Sequence, residues 1–299
     1  MSASVQVGLV GAGNMGGAML ARLRECGWLV AMHDIAAARC DEAQALGARV
    51  CANAAEVARG LASDGVLIVA VVDAAQTEDV LFGRSGALTG LRAGQTVLLC
   101  PTIAPDTVER CAARLAERGV FTLDAPMSGG PARARDGSMS LMLAGPQAVL
   151  ARHVALLADL SSRRFVVSER VGDGARTKLV NNLLAGINLV GAAEALALAG
   201  RLGLDLSTTL DVIEQSSGQS WIGSDRMRRA IAGDLAPRAH VTLLEKDTGL
   251  AVAAGQAVGF EGPLGARAAA VFRAAHQAGL AEFDDAALFQ LLRGPDRAA

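Results

Sequence analysis

Residues 5–17 read VQVGLVGAGNMGG, and the fold class follows from how that stretch divides. VQVGLV is an apolar run of strand length, GAGNMG (11–16) is a glycine-rich turn, and helical patterning starts at Asn14. A lone GxGxxG is a weak signal, because glycines after a strand often make only a tight turn. Here a strand precedes it, a helix follows, and Asp34 closes a second strand about twenty residues on, which are the conditions for a dinucleotide-binding turn. Gly11 then permits the turn, Gly13 the close approach of a pyrophosphate, and Gly16 the contact of helix with strand. Asn14 and Met15 belong to the same phosphate-facing turn, where helix amides and dipole favour an anion. Asp34 is placed to accept hydrogen bonds from a ribose diol and to repel a 2′-phosphate, which favours NAD. Arg39, the nearest cation, leaves NADP open.

Outward from this turn, apolar runs alternate with helical stretches as far as about Val167. Strands are expected at 28–33, 66–72, 96–100, 120–124 and 140–144, and helices at 14–26, 36–46, 54–61, 75–82 and 105–118. Alternating β and α segments with continuously apolar strands predict a doubly wound parallel sheet, helices on both faces, of Rossmann type. Beyond residue 168 the strands stop. Helices are expected at 173–203, 206–215, 221–232, 242–255, 264–278 and 286–292, with a polar tail after them. The chain therefore reads as a dinucleotide-binding domain, 1–168, followed by an all-helical domain, 169–299.

Composition excludes several functions. The formal net charge is −2 and aromatics make up 3%, so neither a basic footprint nor a set of stacking platforms speaks for nucleic acid. The five cysteines are scattered and odd in number, without CxxC, and fit reduced thiols in a cytoplasmic protein. No HExxH or His/Cys cluster suggests a metal. The N-terminus lacks the basic start and apolar core of a signal peptide. The run 179–203 approaches spanning length, but Asn181, Asn182, Asn188 and Glu194 are costly in lipid, and a helix packed within the protein is expected, with no membrane partner.

Two further stretches bear chemistry. DAPMSGGPARARDG (124–137) follows a strand. Such a Pro/Gly-rich loop is usually a connection, yet ligands of open α/β sheets gather beyond the carboxyl ends of strands. Ser128, Gly129 and Gly130 offer a hydroxyl and unshielded amides suited to a carboxylate, whereas Arg133 and Arg135 read as surface or phosphate-facing charges. VGDGARTKLVNN (171–182) announces a helix at Asp173 and puts Lys178 in its opening turns, the unfavourable end of the dipole for a cation. Lys178 and Asn182, four residues apart, share a face, with Asn181 a quarter-turn away. One reading is a lysine whose stem snorkels along the core. The other is a general acid/base, since the dipole and partial burial both lower an amine pKa. Hydride transfer requires a nicotinamide together with a group that takes the alcohol proton, and Lys178 can fill the second role, with Asn182 holding the substrate oxygen. Lys246 and Asp247, in EKDTGLA (245–251), read alone as an ordinary exposed ion pair.

Four motifs in order, GLVGAGNMGGAM (8–19), DAPMSGG (124–130), GDGARTKLVNN (172–182) and KDTGLA (246–251), make the chain resemble the β-hydroxyacid dehydrogenases, the group holding 3-hydroxyisobutyrate, tartronate semialdehyde and L-threonate dehydrogenases. The resemblance spans essentially the whole chain. It implies a Rossmann domain, a long interdomain helix and a helical domain that builds a homodimer or homotetramer. It assigns Lys178 as acid/base and Asn182 as its partner, and gives the substrate carboxylate to Ser128, Gly129 and Gly130. Thr102 it sets beside the nicotinamide ribose, and Lys246 reaches toward cofactor and substrate; Val71 and Val72 stand where a Pro-containing pair is usual in the cofactor site. Residues 100–102 (CPT) and Thr248 also depart from the usual pattern. VVDAAQTEDVLFG (71–83) and SSGQSWIGSDRM (216–227) most resemble the L-threonate branch, which oxidises four-carbon sugar acids with NAD. The remaining alternatives are 3-hydroxyisobutyrate dehydrogenase, tartronate semialdehyde reductase and, in a different class, a protein that senses a dinucleotide without turnover.

Overall fold

A computed structural model describes residues 5–294. The chain divides into two compact units, 1–178 and 179–299. In the first, β1 (Val5–Val10), α1 (Asn14–Glu25), β2 (Val30–His33), α2 (Ala37–Ala45), β3 (Arg49–Val50), α3 (Ala54–Arg59), β4 (Leu61–Val69), α4 (Ala74–Phe82), β5 (Thr96–Leu99), α5 (Pro105–Ala116) and β6 (Phe121–Asp124) alternate as expected. There follow β7 (Met127–Ser128), α6 (Gly130–Asp136), β8 (Ser140–Ala144), α7 (Gln147–Arg152), α8 (Val154–Leu160) and β9 (Arg163–Ser168).

The strands lie in the order β3-β2-β1-β4-β5-β6-β8-β7, and β9 pairs with β8. From β3 to β6 every pairing is parallel. The strand order reverses beside β1, and that crevice is where a doubly wound sheet takes a dinucleotide. The apolar runs are continuous because alternate residues face opposite layers. Val66 and Ile68 enter one core with Leu9, Met19 and Leu23, while Leu67 and Val69 enter the other with Val97, Leu99 and Leu115.

Several features differ from the sequence expectation, among them the unforeseen short β3 and the helices α7 and α8. The sheet is not wholly parallel, since β8 runs antiparallel to β6 and β7 and only β9 is parallel to it. Strand β4 covers 61–69 instead of 66–72: a bulge slips its register against β1 between Val5 and Val7, and Asp73 then caps α4 by accepting from the Gln76 amide, so Val71 and Val72 fall in the following loop. The stretch 124–137 is not merely a loop but a strand, a glycine turn and helix α6. Strand β9 escaped the reading because its residues are mostly exposed on an edge and show neither a buried run nor an alternation.

In the second unit α9 (Asp173–Arg201), which begins at the end of the first, leads to α10 (Leu206–Glu214), α11 (Trp221–Ile231), α12 (Val241–Ala257), α13 (Pro263–Ala275) and α14 (Leu288–Arg293). By length and composition α9 passes as a membrane span, but Leu189, Ala193, Leu196 and Ala197 make one stripe that packs with Leu244, Phe272 and Leu288. Helix α13 ends before 278 in a π turn at His276–Leu280, where Gly279 takes φ 84°. The last helix begins at 288 because Asp284 and Asp285 are drawn to α11: Arg229 Nη1 lies 2.9 Å from Asp284, and Arg226 pairs with Asp285. The polar tail, from residue 295, lies outside the described residues.

Gly186 marks the tightest packing on α9. A methyl group there would stand 2.5 Å from Thr248 Cγ2 and 3.3 Å from Phe272 Cε2. Thr248 is held by its hydroxyl on the Leu244 carbonyl at 2.6 Å and cannot turn away freely. Gly186→Ala is therefore expected to lose about 1–2 kcal/mol in urea unfolding, overpacking outweighing the better helix propensity.

Candidate active site

The glycine turn is built by three different constraints. Gly11 has φ 90°, and a side chain on it would meet the Ala70 carbonyl oxygen at 2.8 Å. Gly16 allows α1 to touch β1, for a Cβ there would stand 1.9 Å from the Gly11 oxygen. Around Gly13 a Cβ would meet nothing within 4 Å. That open cradle lies at the helix N-cap, where no side chain caps the first turn formed by Asn14, Met15 and Gly16. Amides without intrahelical partners, opening onto free space, suit a pyrophosphate.

Asp34 stands just past β2, fixed by two amides. The Ala12 N–H donates to its Oδ2 at 2.5 Å and the Ala36 N–H to its Oδ1 at 2.8 Å. The carboxylate is thereby tied to the glycine turn itself. Arg39 is occupied at the surface by Glu42, 2.8 Å away. Beyond β4, Val72 is half-exposed and its N–H donates to Gln76 Oε1 at 3.1 Å, while Val71 is partly buried. Thr102 is partly buried in the loop between β5 and α5.

Ser128 ends β7, partly buried, and Gly129 and Gly130 follow with φ of 128° and 76°. Two successive positive φ values explain two glycines, and around Gly130 a Cβ would meet nothing within 4 Å. Arg135 is engaged by Glu25 at the surface, as its reading as a surface charge supposed.

Lys178 and Asn182 stand one turn apart on α9 and are only 7% and 8% exposed. Asn181 is exposed and donates to Asn182 Oδ1 at 2.9 Å. Asn182 Nδ2 donates to Asp247 Oδ2 at 2.6 Å, and Lys246 Nζ lies 2.6 Å from Asp247 Oδ1. The pair at 246–247 is thus not an ordinary exposed one: Asp247 is 6% exposed and bridges Lys246 to Asn182. Its neighbours along the sequence carry no hint of this, because the partner is sixty-five residues away.

A second carboxylate escaped the sequence reading. Asp124, at the end of β6 and 1% exposed, accepts from the amides of Gly172 at 3.0 Å and Ala175 at 2.8 Å, both on Oδ2. It therefore caps α9 from another strand. Asp173, the residue that announces the helix in the sequence, turns instead to the Ser168 hydroxyl at 2.7 Å and Arg176 at 3.1 Å. Burial pushes the Asp124 carboxyl up to about 6, against the opposing effect of the backbone hydrogen bonds. Burial likewise holds the thiol of nearby Cys100 well above its ordinary range. Among the described residues, no group of three or more His, Cys, Asp or Glu side chains is arranged to hold a metal ion.

Comparison with known proteins places this geometry. The profile described as the NAD binding domain of 6-phosphogluconate dehydrogenase matches residues 6–168, and that described as NAD-binding of NADP-dependent 3-hydroxyisobutyrate dehydrogenase matches 172–292. The chain is 36% identical to an L-threonate dehydrogenase of Escherichia coli (strain K12) over 96% of its own length and 95% of the relative's. It is 34% identical to a 3-hydroxyisobutyrate dehydrogenase of Pseudomonas aeruginosa over 97% and 99%. A crystal structure of 3-hydroxyisobutyrate dehydrogenase from Salmonella typhimurium superposes with a TM-score of 0.88 at 34% identity, covering 95% of this chain and 99% of that one. The protein is an NAD-dependent dehydrogenase, with NADP still open as cofactor, that acts on the CH–OH group of a hydroxy acid. It belongs to the β-hydroxyacid dehydrogenase family, in its 3-hydroxyisobutyrate dehydrogenase-like group.

Two contrasts follow. Gly16→Ala should destabilise the protein by about 3 kcal/mol in urea unfolding, the steric clash being with backbone. Gly13→Ala should stay within about 0.5 kcal/mol of wild-type stability but weaken NAD binding by roughly tenfold or more, read by titration calorimetry. The raised Asp124 value also fixes a pH dependence. The fold holds that proton more tightly than the open chain does, so the contribution is complete below the ordinary carboxylate range and is lost as pH rises through about 6. Asp124→Asn should remove a fall of about 2–3 kcal/mol from the stability-against-pH curve over that window.

Proposed function

We propose that the protein oxidises L-threonate or a related four-carbon aldonate with NAD, and that Lys178 is the acid/base of the reaction. Near-full-length similarity to an L-threonate dehydrogenase supports the substrate. The burial of both Lys178 and Asn182, one turn apart on one helix, carries the reading of the lysine. A snorkelling lysine would keep its ammonium in water, whereas Lys178 is 7% exposed.

The bound nicotinamide supplies the hydride acceptor. Gly11, Gly13, Asn14, Met15 and Gly16 cradle the pyrophosphate, and Asp34 takes the adenosine ribose diol. Val71, Val72, Thr102 and Lys246 complete the cofactor's surroundings. Ser128, Gly129 and Gly130 hold the substrate carboxylate through a hydroxyl and amides. The Lys178 amine takes the alcohol proton as the carbonyl forms and returns it in the reverse direction. Asn182 positions the reacting oxygen. With one Nδ2 hydrogen committed to Asp247, the amide is held in one orientation and keeps its other hydrogen for that oxygen. Residues 1–168 serve the cofactor and 169–299 the substrate and assembly into a homodimer or homotetramer; the setting is the cytoplasm.

A second reading, 3-hydroxyisobutyrate oxidation, is supported by the comparable similarity to the Pseudomonas aeruginosa enzyme. NADH formation with L-threonate, other aldonates, D-glycerate, 3-hydroxyisobutyrate and L-serine separates the two. L-Threonate or a four-carbon relative is expected to give the highest kcat/KM, and a clear preference for 3-hydroxyisobutyrate would overturn the assignment. Lys178→Ala should lower kcat by about a thousandfold or more while NAD affinity changes only a few-fold.

A further inference from the structure

The chain places a lysine at the positive pole of a long helix, and the same helix start receives a buried carboxylate from elsewhere in the fold. We propose that Asp124 is a positioning residue for Lys178: it anchors the first turn of α9 to the end of β6 and sets the charge balance of the amine. The proposal rests on Lys178 being the acid/base.

The geometry is local to the first unit. The first N–H groups of a helix have no intrahelical partner, and those of Gly172 and Ala175 converge on the single oxygen Asp124 Oδ2. The contact leaves no room for adjustment: a Cβ on Gly174 would stand 2.9 Å from that oxygen and 2.7 Å from the Met142 carbonyl oxygen. The start of α9 is thus wedged between β6 and β8, and Lys178 lies three residues beyond Ala175, a rise of about 4.5 Å along the helix. A rigid first turn fixes where the lysine stem leaves the backbone.

The carboxylate also acts through its charge. Helix amides at this pole disfavour an ammonium, and an anion at the same pole offsets them. With a carboxyl value of about 6, Asp124 is ionised at neutral pH and above, where a lysine base titrates. The other titratable or charged groups around this junction include Cys100 after β5, Asp173 on α9 itself, Arg170 just before it, and Glu109 of α5, which pairs with both Arg170 and Arg176 beside Gly172. Asp173 and Glu109 are already committed to Ser168 and arginine partners, and Cys100 stays protonated through neutral pH, so Asp124 is the buried anion of the junction.

Asp124→Asn separates anchoring from charge, because both amide bonds fall on one oxygen that the carboxamide can supply. In the full-length variant, the acid-side limb of the kcat/KM profile for oxidation, where the Lys178 amine must lose its proton, should move to lower pH by about half to one unit, as expected for removing an anion near the same helix pole. NAD affinity should stay within about threefold of wild type. A profile that superimposes on the wild type after scaling would leave Asp124 a purely structural cap and overturn the proposal. Should Asp124→Asn fail to fold, Lys178→Met reads the same coupling in reverse. Linkage is reciprocal, so loss of the ammonium should move the acid-range fall in wild-type stability to higher pH by about the same half to one unit. An unmoved fall overturns the proposal. Turnover of Lys178→Met reports separately on the acid/base reading: a variant that remains fully active but shows the stability shift keeps the coupling and discards the catalytic role.

Discussion

The architecture depends on how closely α1 approaches β1. The Gly11 carbonyl sits where a side chain at Gly16 would have to be, and this contact sets the angle at which the helix leaves the sheet. Because the helix start is pressed against the strand end, its unpaired amides point to one place, and Gly13 leaves that place open. The same turn donates the Ala12 amide to Asp34, so the glycine turn also fixes the carboxylate that follows β2.

Much of this is legible in the sequence because it is local. GAGNMG, the apolar strands and Asp34 lie within one βαβ unit, and their spacing carries their geometry. The two-faced burial of β4 and β5 is legible for a related reason, since a strand covered on both sides must be apolar throughout. What remained hidden is long-range. Asp124 lies 48 residues from Gly172 and caps a helix whose start the sequence announces with Asp173. Asp247 reads as half of a surface pair until Asn182 is folded against it. Edge strand β9 has no apolar pattern because it buries almost nothing, and the bulge in β4 depends on its pairing with β1.

The start of α9 carries a cation at the wrong pole, its middle packs an apolar stripe in the second unit, and Arg176 and Asn182 have partners far away in sequence. In the proposed mechanism the buried Asp124 carboxylate, fixed at the same pole by the Gly172 and Ala175 amides, offsets the helix amides around that lysine. The Asn182–Asp247 bond does the equivalent for orientation, converting a freely rotating amide into a fixed donor.

The central claim, that Lys178 carries the proton while the protein dehydrogenates a hydroxy acid, is most directly tested by rescuing Lys178→Ala with primary amines of graded basicity. The account predicts that turnover of L-threonate with NAD returns on adding amine, and that the rescued rate rises with amine basicity. A Lys178→Ala protein that already oxidises the substrate at the wild-type rate without added amine would contradict it.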